Sequence, residues 1–263
     1  MIASIRFQPT GKVYDFDADE QLGLKPGDLV LVDTARGQQV GTVVSLRDLM
    51  EGETADGLKP VERLATGRDL ALRQMLEDQE AEVLAHARGL VAKMHLKMKV
   101  VSAEYTLDRS RLTLLYASEE KRLNLDGFAA QIRRRFPGNV DLRRIGPRDH
   151  AKHLEGYGAC GEPCCCSRFL EQFAPISIKM AKTQGVSLNP SEITGMCGRL
   201  RCCLDYEAKQ YEDAVKEMPR RKKRVRTPFG EGKVIDLQPL RNLVVVQVED
   251  RRVEVDADDV ELV

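Results

Sequence analysis

The sequence predicts an α+β protein: a central α/β layer and a Cys-rich helical segment, flanked at both ends by small β-barrel-like parts. Three observations carry this. Apolar, β-branched segments broken by Gly, Pro and Asp crowd both ends of the chain. The middle reads helix–strand–strand–helix–strand. All seven cysteines lie between Cys160 and Cys203. The predicted parts are 1–60, β-rich; 61–150, the α+β core; 151–218, the Cys-rich segment; and 219–263, a small C-terminal barrel.

The first part divides into short strands at 2–7, 12–16, 28–33 and 39–46, with turn signals at Pro26-Gly27-Asp28 and Arg36-Gly37-Gln38. Residues 51–68 read as a connector. The longest helical pattern runs from Asp69 to about Met94. There Leu72, Met75, Leu76, Val83, Ala87, Leu90, Val91 and Met94 recur at threes and fours, with Asp69 as the expected N-cap. Strands follow at 100–107 and 112–117, joined by a turn at 108–111. A helix at 125–136 places Leu125, Phe128, Ala129, Ile132 and Phe136 on one face and stops at Pro137-Gly138. A strand at 140–145 closes the layer.

Charged residues make up 31% of the chain but balance, 41 against 41, so no global attraction to nucleic acid or membrane is implied. The N-terminus lacks a long apolar run with a cleavage-like site. No window approaches about 18 apolar residues, so membrane insertion is not expected. The expectation is a soluble, cytoplasmic protein. In a reducing compartment, clustered cysteines indicate metal or redox chemistry rather than structural disulfides. No phosphate-binding glycine loop, nucleophile elbow or metalloprotease motif is present, so no catalytic residues are assigned.

The cysteines form two copies of one pattern, Cys-Gly-x-x-x-Cys-Cys, at 160–166 and 197–203. The candidate metal ligands are Cys160, Cys165, Cys166, Cys197, Cys202 and Cys203, with Cys164 as an additional donor. A Gly after the first cysteine lets the backbone turn tightly around a bulky group. The Cys-Cys pairs are expected in the first turn of a helix, where free N–H groups favour thiolates. Arg199 and Arg201 are placed to offset remaining charge. Structural zinc sites usually separate ligands by two to four residues and close with four. Neighbouring helical residues diverge by about 100°, which suits an iron–sulfur cluster better than one small ion. Such a cluster takes four thiolates. Each copy supplies three, so either the copies pool ligands or a fourth comes from Cys164, a histidine or a partner protein. His150 and His153 precede the first copy and read more readily as ordinary loop or helix residues. Redox thiols or simple packing are the remaining readings. Vicinal disulfides are disfavoured, since adjacent Cα atoms lie about 3.8 Å apart.

Between the copies, 175–182 reads as a short amphipathic helix closed by Gly185, and Asn189-Pro190-Ser191 as a turn. Beyond the second copy, Arg220, Arg221, Lys222, Lys223, Arg224 and Arg226 form a dense basic run. It is either an RNA-phosphate contact or a solvated linker. Strands at 233–237, 243–248 and 252–255 complete the C-terminal part.

Several stretches together resemble one bacterial family. They are Gly156-Tyr157-Gly158-Ala159-Cys160-Gly161, Cys165-Cys166, Ile178-Lys179-Met180-Ala181-Lys182, Ser187-Leu188-Asn189-Pro190 and Gly195 through Leu204, with Ala103-Glu104-Tyr105 and Ile145 through Asp149. They are similar to the RicT (YaaT) family, whose members carry a polymerase-suppressor-type (PSP1) C-terminal domain. The match spans roughly 95–210. The resemblance implies a non-catalytic regulatory subunit that assembles with small helical proteins, RicA and RicF. That complex carries [4Fe–4S] clusters and acts on messenger-RNA maturation by RNase Y, and so on sporulation, competence and biofilm formation in bacilli. Six cysteines match the family's positions and are implied as ligands of the cluster-binding segment. Cys164 and Glu162 depart from the family's usual apolar residue and arginine. The alternative reading is a nucleic-acid-binding module stabilised by zinc.

Overall fold

A computed structural model describes residues 1–8, 11–35, 37–49, 54–120 and 122–263. Arg36 of the expected turn and positions 51–53 of the expected connector lie outside the described residues. The chain forms two compact units, Met1–Glu155 and Gly156–Val263.

The first unit opens with β1 (Ile2–Arg6), β2 (Val13–Asp17), β3 (Leu29–Thr34), β4 (Gly37–Arg47) and β5 (Val61–Leu64). They pair antiparallel in the order β2-β1-β4-β3-β5. Alternation turns Ala3, Ile5, Phe16, Val30, Val32, Val43 and Val61 into one core. The expected N-terminal barrel is corrected to an open sheet among the described residues. Its two edges meet at a single bridge, Asp17 to Pro60. Closure needs a continuous ladder with matched tilt and stagger, and the four-residue β5 offers too little edge. That strand lies inside the stretch expected to be connector.

Helix α1 (Gly67–Lys93) follows, then β6 (Lys99–Tyr105), β7 (Arg111–Ala117), α2 (Asp126–Arg135), β8 (Asn139–Arg144) and α3 (Pro147–His153). β6 and β7 form an antiparallel hairpin, and β8 returns parallel to β7 after α2. Leu76, Val83, Ala87 and Leu90 of α1 pack with Phe128 and Ile132 of α2 and with Val100, Leu112, Leu114 and Val140 of the sheet. Met75, expected on the apolar stripe, is 60% exposed. Glu80 takes a place on that stripe instead. Its carboxylate accepts from both Arg73 guanidinium nitrogens at 2.9 Å and from the Tyr105 N–H at 2.6 Å. Burial pushes the Glu80 carboxyl above its ordinary value, opposed by Arg73 and that N–H.

The N-cap of α1 is Thr66 rather than Asp69. Thr-Gly-Arg-Asp is a capping box: Asp69 N–H donates to the Thr66 hydroxyl, and the Asp69 carboxylate accepts from the Thr66 N–H at 2.7 Å. Arg63 adds two further bonds to the same carboxylate. The Arg63 guanidinium, then Thr66, hold Asp69 far below the usual carboxylate range. A depressed pKa stabilises the fold above the unfolded value near pH 4, and that contribution drains away as acid protonates the group. Asp69→Asn is expected to cost about 1 kcal/mol near neutrality. The gap between its urea midpoint and that of the parent protein narrows as pH falls below about 4; a gap constant across pH would refute the assignment.

The second unit holds four short helices: α4 (Cys165–Arg168), α5 (Ile178–Thr183), α6 (Pro190–Ile193) and α7 (Cys203–Tyr206). Then come α8 (Ala208–Lys216), β9 (Arg224–Thr227), β10 (Gly230–Gln238), β11 (Leu243–Val248), β12 (Arg251–Asp256) and β13 (Glu261–Leu262). Asn189, expected in a turn, caps α6 by accepting from the Ser191 N–H. The strands pair antiparallel in the order β12-β11-β10-β9-β13 around Val225, Val234, Val244 and Val246. The expected C-terminal barrel is likewise corrected to an open sheet among the described residues. Its edge strand β13 has only two residues. No described helix is long and apolar enough to cross a membrane.

Candidate metal centre

Both cysteine motifs fold the same way, in matching steps. A single bridge closes each loop, Tyr157 with Pro163 and Thr194 with Leu200. Inside, Gly158 N–H donates to Glu162 O and Gly161 N–H to Gly158 O. In the second copy Gly195 donates to Arg199 O and Gly198 to Gly195 O. Cys164 N–H reaches back to Gly156 O, as Arg201 N–H reaches Ile193 O. Gly161 and Gly198 take φ of 82° and 74°, a left-handed turn that a side chain would strain. Each loop then feeds one helical turn, α4 or α7, with Cys164 and Cys202 at the N-caps. The sequence spacing thus encodes a small hairpin followed by a turn of helix, twice.

The two copies face each other through equivalent residues. Cys165 lies within electrostatic reach of Cys202, its counterpart in the second motif. Phe169 and Tyr206, also counterparts, meet edge to face with ring centroids 5.1 Å apart. Equivalent residues of the two copies thus lie near each other at both places. Met196 bridges them as well, its sulfur lying 4.0 Å from the Cys164 sulfur and its side chain over Gly156. A compact apolar group of Ala181, Ile193 and Leu204, lined by Ile176, Met180, Val186 and Leu200, anchors the second copy. Gln184 fastens α7 by donating to Leu204 O at 2.6 Å.

All seven cysteines are free thiols. Cys160 is exposed at its loop tip, Cys166 is buried, and the others are half-buried. Burial pushes the Cys165 thiol up to about 11, and the adjacent Cys202 and Cys203 sulfurs add to the rise. Burial likewise raises Cys164, with charge from Cys202, Cys197 and Cys160 adding to it. Cys166 rises by burial and then by Cys164, Cys202 and Cys197. Cys203 rises by burial and by Glu207, while Arg201 opposes. With no cofactor charge beside them, burial and neighbouring sulfurs outweigh the backbone N–H that favours the Cys165 thiolate. Arg201 lies near Cys203, held by the Thr194 and Ser191 carbonyls. Arg199 is exposed.

Cys164, Cys165 and Cys166 of the first motif thus lie within electrostatic reach of cysteines of the second. Yet among the described residues no three Cys, His, Asp or Glu side chains converge tightly enough to hold one metal ion. Thiols are the donors that zinc and iron–sulfur clusters both take, so the chemistry of these side chains fits either group. His150 and His153 lie on α3.

The basic run is not a loose linker. Lys222 N–H bonds Val234 O, and Arg224 and Arg226 belong to β9. Arg221 pairs with Asp236 at 2.6 Å and Arg226 with Glu231 at 3.2 Å.

Comparison with known proteins defines the class first. Residues 59–145 match the profile of the PSP1 C-terminal conserved region, and residues 175–218 that of the PSP1-like protein third domain. The chain is 35% identical to the stage 0 sporulation protein YaaT of Bacillus subtilis over 95% of its own length and 90% of that protein's. It is 26% identical to an uncharacterized protein of Schizosaccharomyces pombe, PB7E8.02, across 41% of this chain and 18% of the other. No solved structure matches it. The chain belongs to the YaaT (RicT) family of PSP1-domain proteins.

Proposed function

We propose that the chain is a non-catalytic regulatory subunit in the cytoplasm whose paired cysteine motifs hold [4Fe–4S] cluster chemistry together with partner proteins. The observation that supports this most directly is the packing of the two motifs against each other, Phe169 on Tyr206 and Cys164 beside Met196, which gathers seven free thiols in one small region. Cys160, Cys165, Cys166, Cys197, Cys202 and Cys203 are the ligands on this reading, with Cys164 in reserve. These cysteines would hold a cluster as thiolates, so loading would release protons. The partners are small helical proteins of the RicA and RicF kind, and the process is RNA maturation of the RNase Y type. The relative's name, a stage 0 sporulation protein, agrees with a developmental regulatory role.

The test is to prepare the chain without oxygen, alone and with those partners, and to measure iron and acid-labile sulfide. Iron and sulfide together support the reading; a colourless protein free of both, even in the complex, overturns it. Stoichiometric zinc in their place would favour the alternative, a zinc-stabilised nucleic-acid-binding module.

A further inference from the structure

Strand register in the C-terminal sheet aligns a row of side chains that no sequence window brings together. Arg224 of β9 lies opposite Lys233 of β10, Lys233 opposite Gln247 of β11, and Gln247 opposite Arg252 of β12. All four point away from the core, because Val225, Val234 and Val246, one residue along, are buried. Arg224, Lys233 and Arg252 are exposed. No acid pairs with any of the three among the described residues, whereas Arg221 and Arg226 beside them are each neutralised. Neighbouring strands sit about 4.8 Å apart, so the row carries three unpaired cations across about 14 Å, at right angles to the strands. Like charges directly opposite on a sheet destabilise it. A sheet that keeps Arg224 against Lys233 is suited to an anion laid across both. At the end of the same hairpin the Phe229 ring stands 64% exposed, and aromatic rings beside a cationic track are the parts with which proteins hold unpaired nucleotides.

We propose that the outward face of the C-terminal sheet is a single-stranded nucleic-acid site. Phosphates lie along Arg224, Lys233 and Arg252, with the neutral Gln247, whose amide donates to Glu249 O at 2.9 Å, between the last two, and Phe229 stacks on a base. This goes beyond the cluster reading and does not depend on what the thiols hold. It also divides the basic run, since Arg224 contributes while Arg221 and Arg226 each already face a carboxylate in an exposed ion pair.

The experiment is a titration of the full chain against labelled polyuridylate across a range of salt. Three phosphate contacts give a log–log salt slope of about −2, an affinity loss of about tenfold to twentyfold between 50 and 200 mM salt. The triple variant Arg224→Gln, Lys233→Gln, Arg252→Gln is expected to flatten the slope and weaken binding more than tenfold at low salt. The double variant Arg221→Gln, Arg226→Gln stays within about twofold of the parent. Phe229→Ala weakens binding with the slope unchanged. Thermal melts confirm folding, with Lys233→Gln melting at or above the parent protein because a like-charge pair is removed. The proposal is overturned if the parent chain fails to bind at low salt or if the triple variant binds as the parent does. It is equally overturned if the two paired arginines matter as much as the row, or if polyglutamate displaces the chain as well as polyuridylate competitor does.

Discussion

Chain carrying Cys165→Ser and Cys202→Ser together, prepared without oxygen beside its partners, is expected to contain less than about a tenth of the parent's iron and sulfide while keeping its far-ultraviolet spectrum. The two are counterparts within electrostatic reach of each other, one from each motif, so their loss strikes both copies at once. The backbone scaffold survives because the closing bridges and the Gly161 and Gly198 turns involve no thiol. Serine is close in size but a far weaker ligand for iron than thiolate. Cys164→Ala is the informative companion. Its counterpart in the second copy is Arg201, which no thiol-bound cluster can use as a donor, so this variant is expected to retain most of its iron. A doubly substituted protein with a full complement of iron and sulfide would place the cluster elsewhere.

Glu80→Ala is expected to destabilise the first unit by about 3–5 kcal/mol, the range seen when one partner of a buried ion pair is removed. Two losses combine. The half-buried Arg73 guanidinium keeps only the exposed Glu77 as a countercharge. The Tyr105 N–H, buried against the sheet, loses its acceptor. Glu80→Gln keeps an acceptor for that N–H and is expected to cost about half as much. Urea unfolding followed by circular dichroism separates them; equal midpoints for Glu80→Ala and the parent would show the network to be idle.

Glu80 also shows where reading the sequence stops. The stripe of α1 was legible from its spacing of threes and fours, and Leu76, Val83, Ala87 and Leu90 are buried as that spacing requires. A glutamate in register with them was the one available signal of a buried polar network. Its partner N–H lies on β6, and such long-range pairing leaves no local pattern. The cap moved from Asp69 to Thr66 because an acid three residues inside a helix completes a capping box as readily as it starts a helix. Strand β5 escaped notice because Val61-Glu62-Arg63-Leu64 is short and charged. Helix α3 was missed although Pro147 sits at its first position, a helix-start signal. The barrels failed for a different reason: local alternation specifies strands, but closure depends on edges far apart in sequence.

At the site, spacing revealed the repeat and the donor atoms. It could not reveal that the copies meet like to like, or that Phe169 and Tyr206 pair. The cation row was hidden for the same cause, since Arg224, Lys233 and Arg252 become neighbours only through strand register.

The matched hairpins differ in charge at two equivalent places, where Glu162 and Cys164 in the first stand for Arg199 and Arg201 in the second. One loop therefore carries an acid and an additional thiol where the other carries two guanidiniums, so the pair is alike in backbone and lopsided in charge.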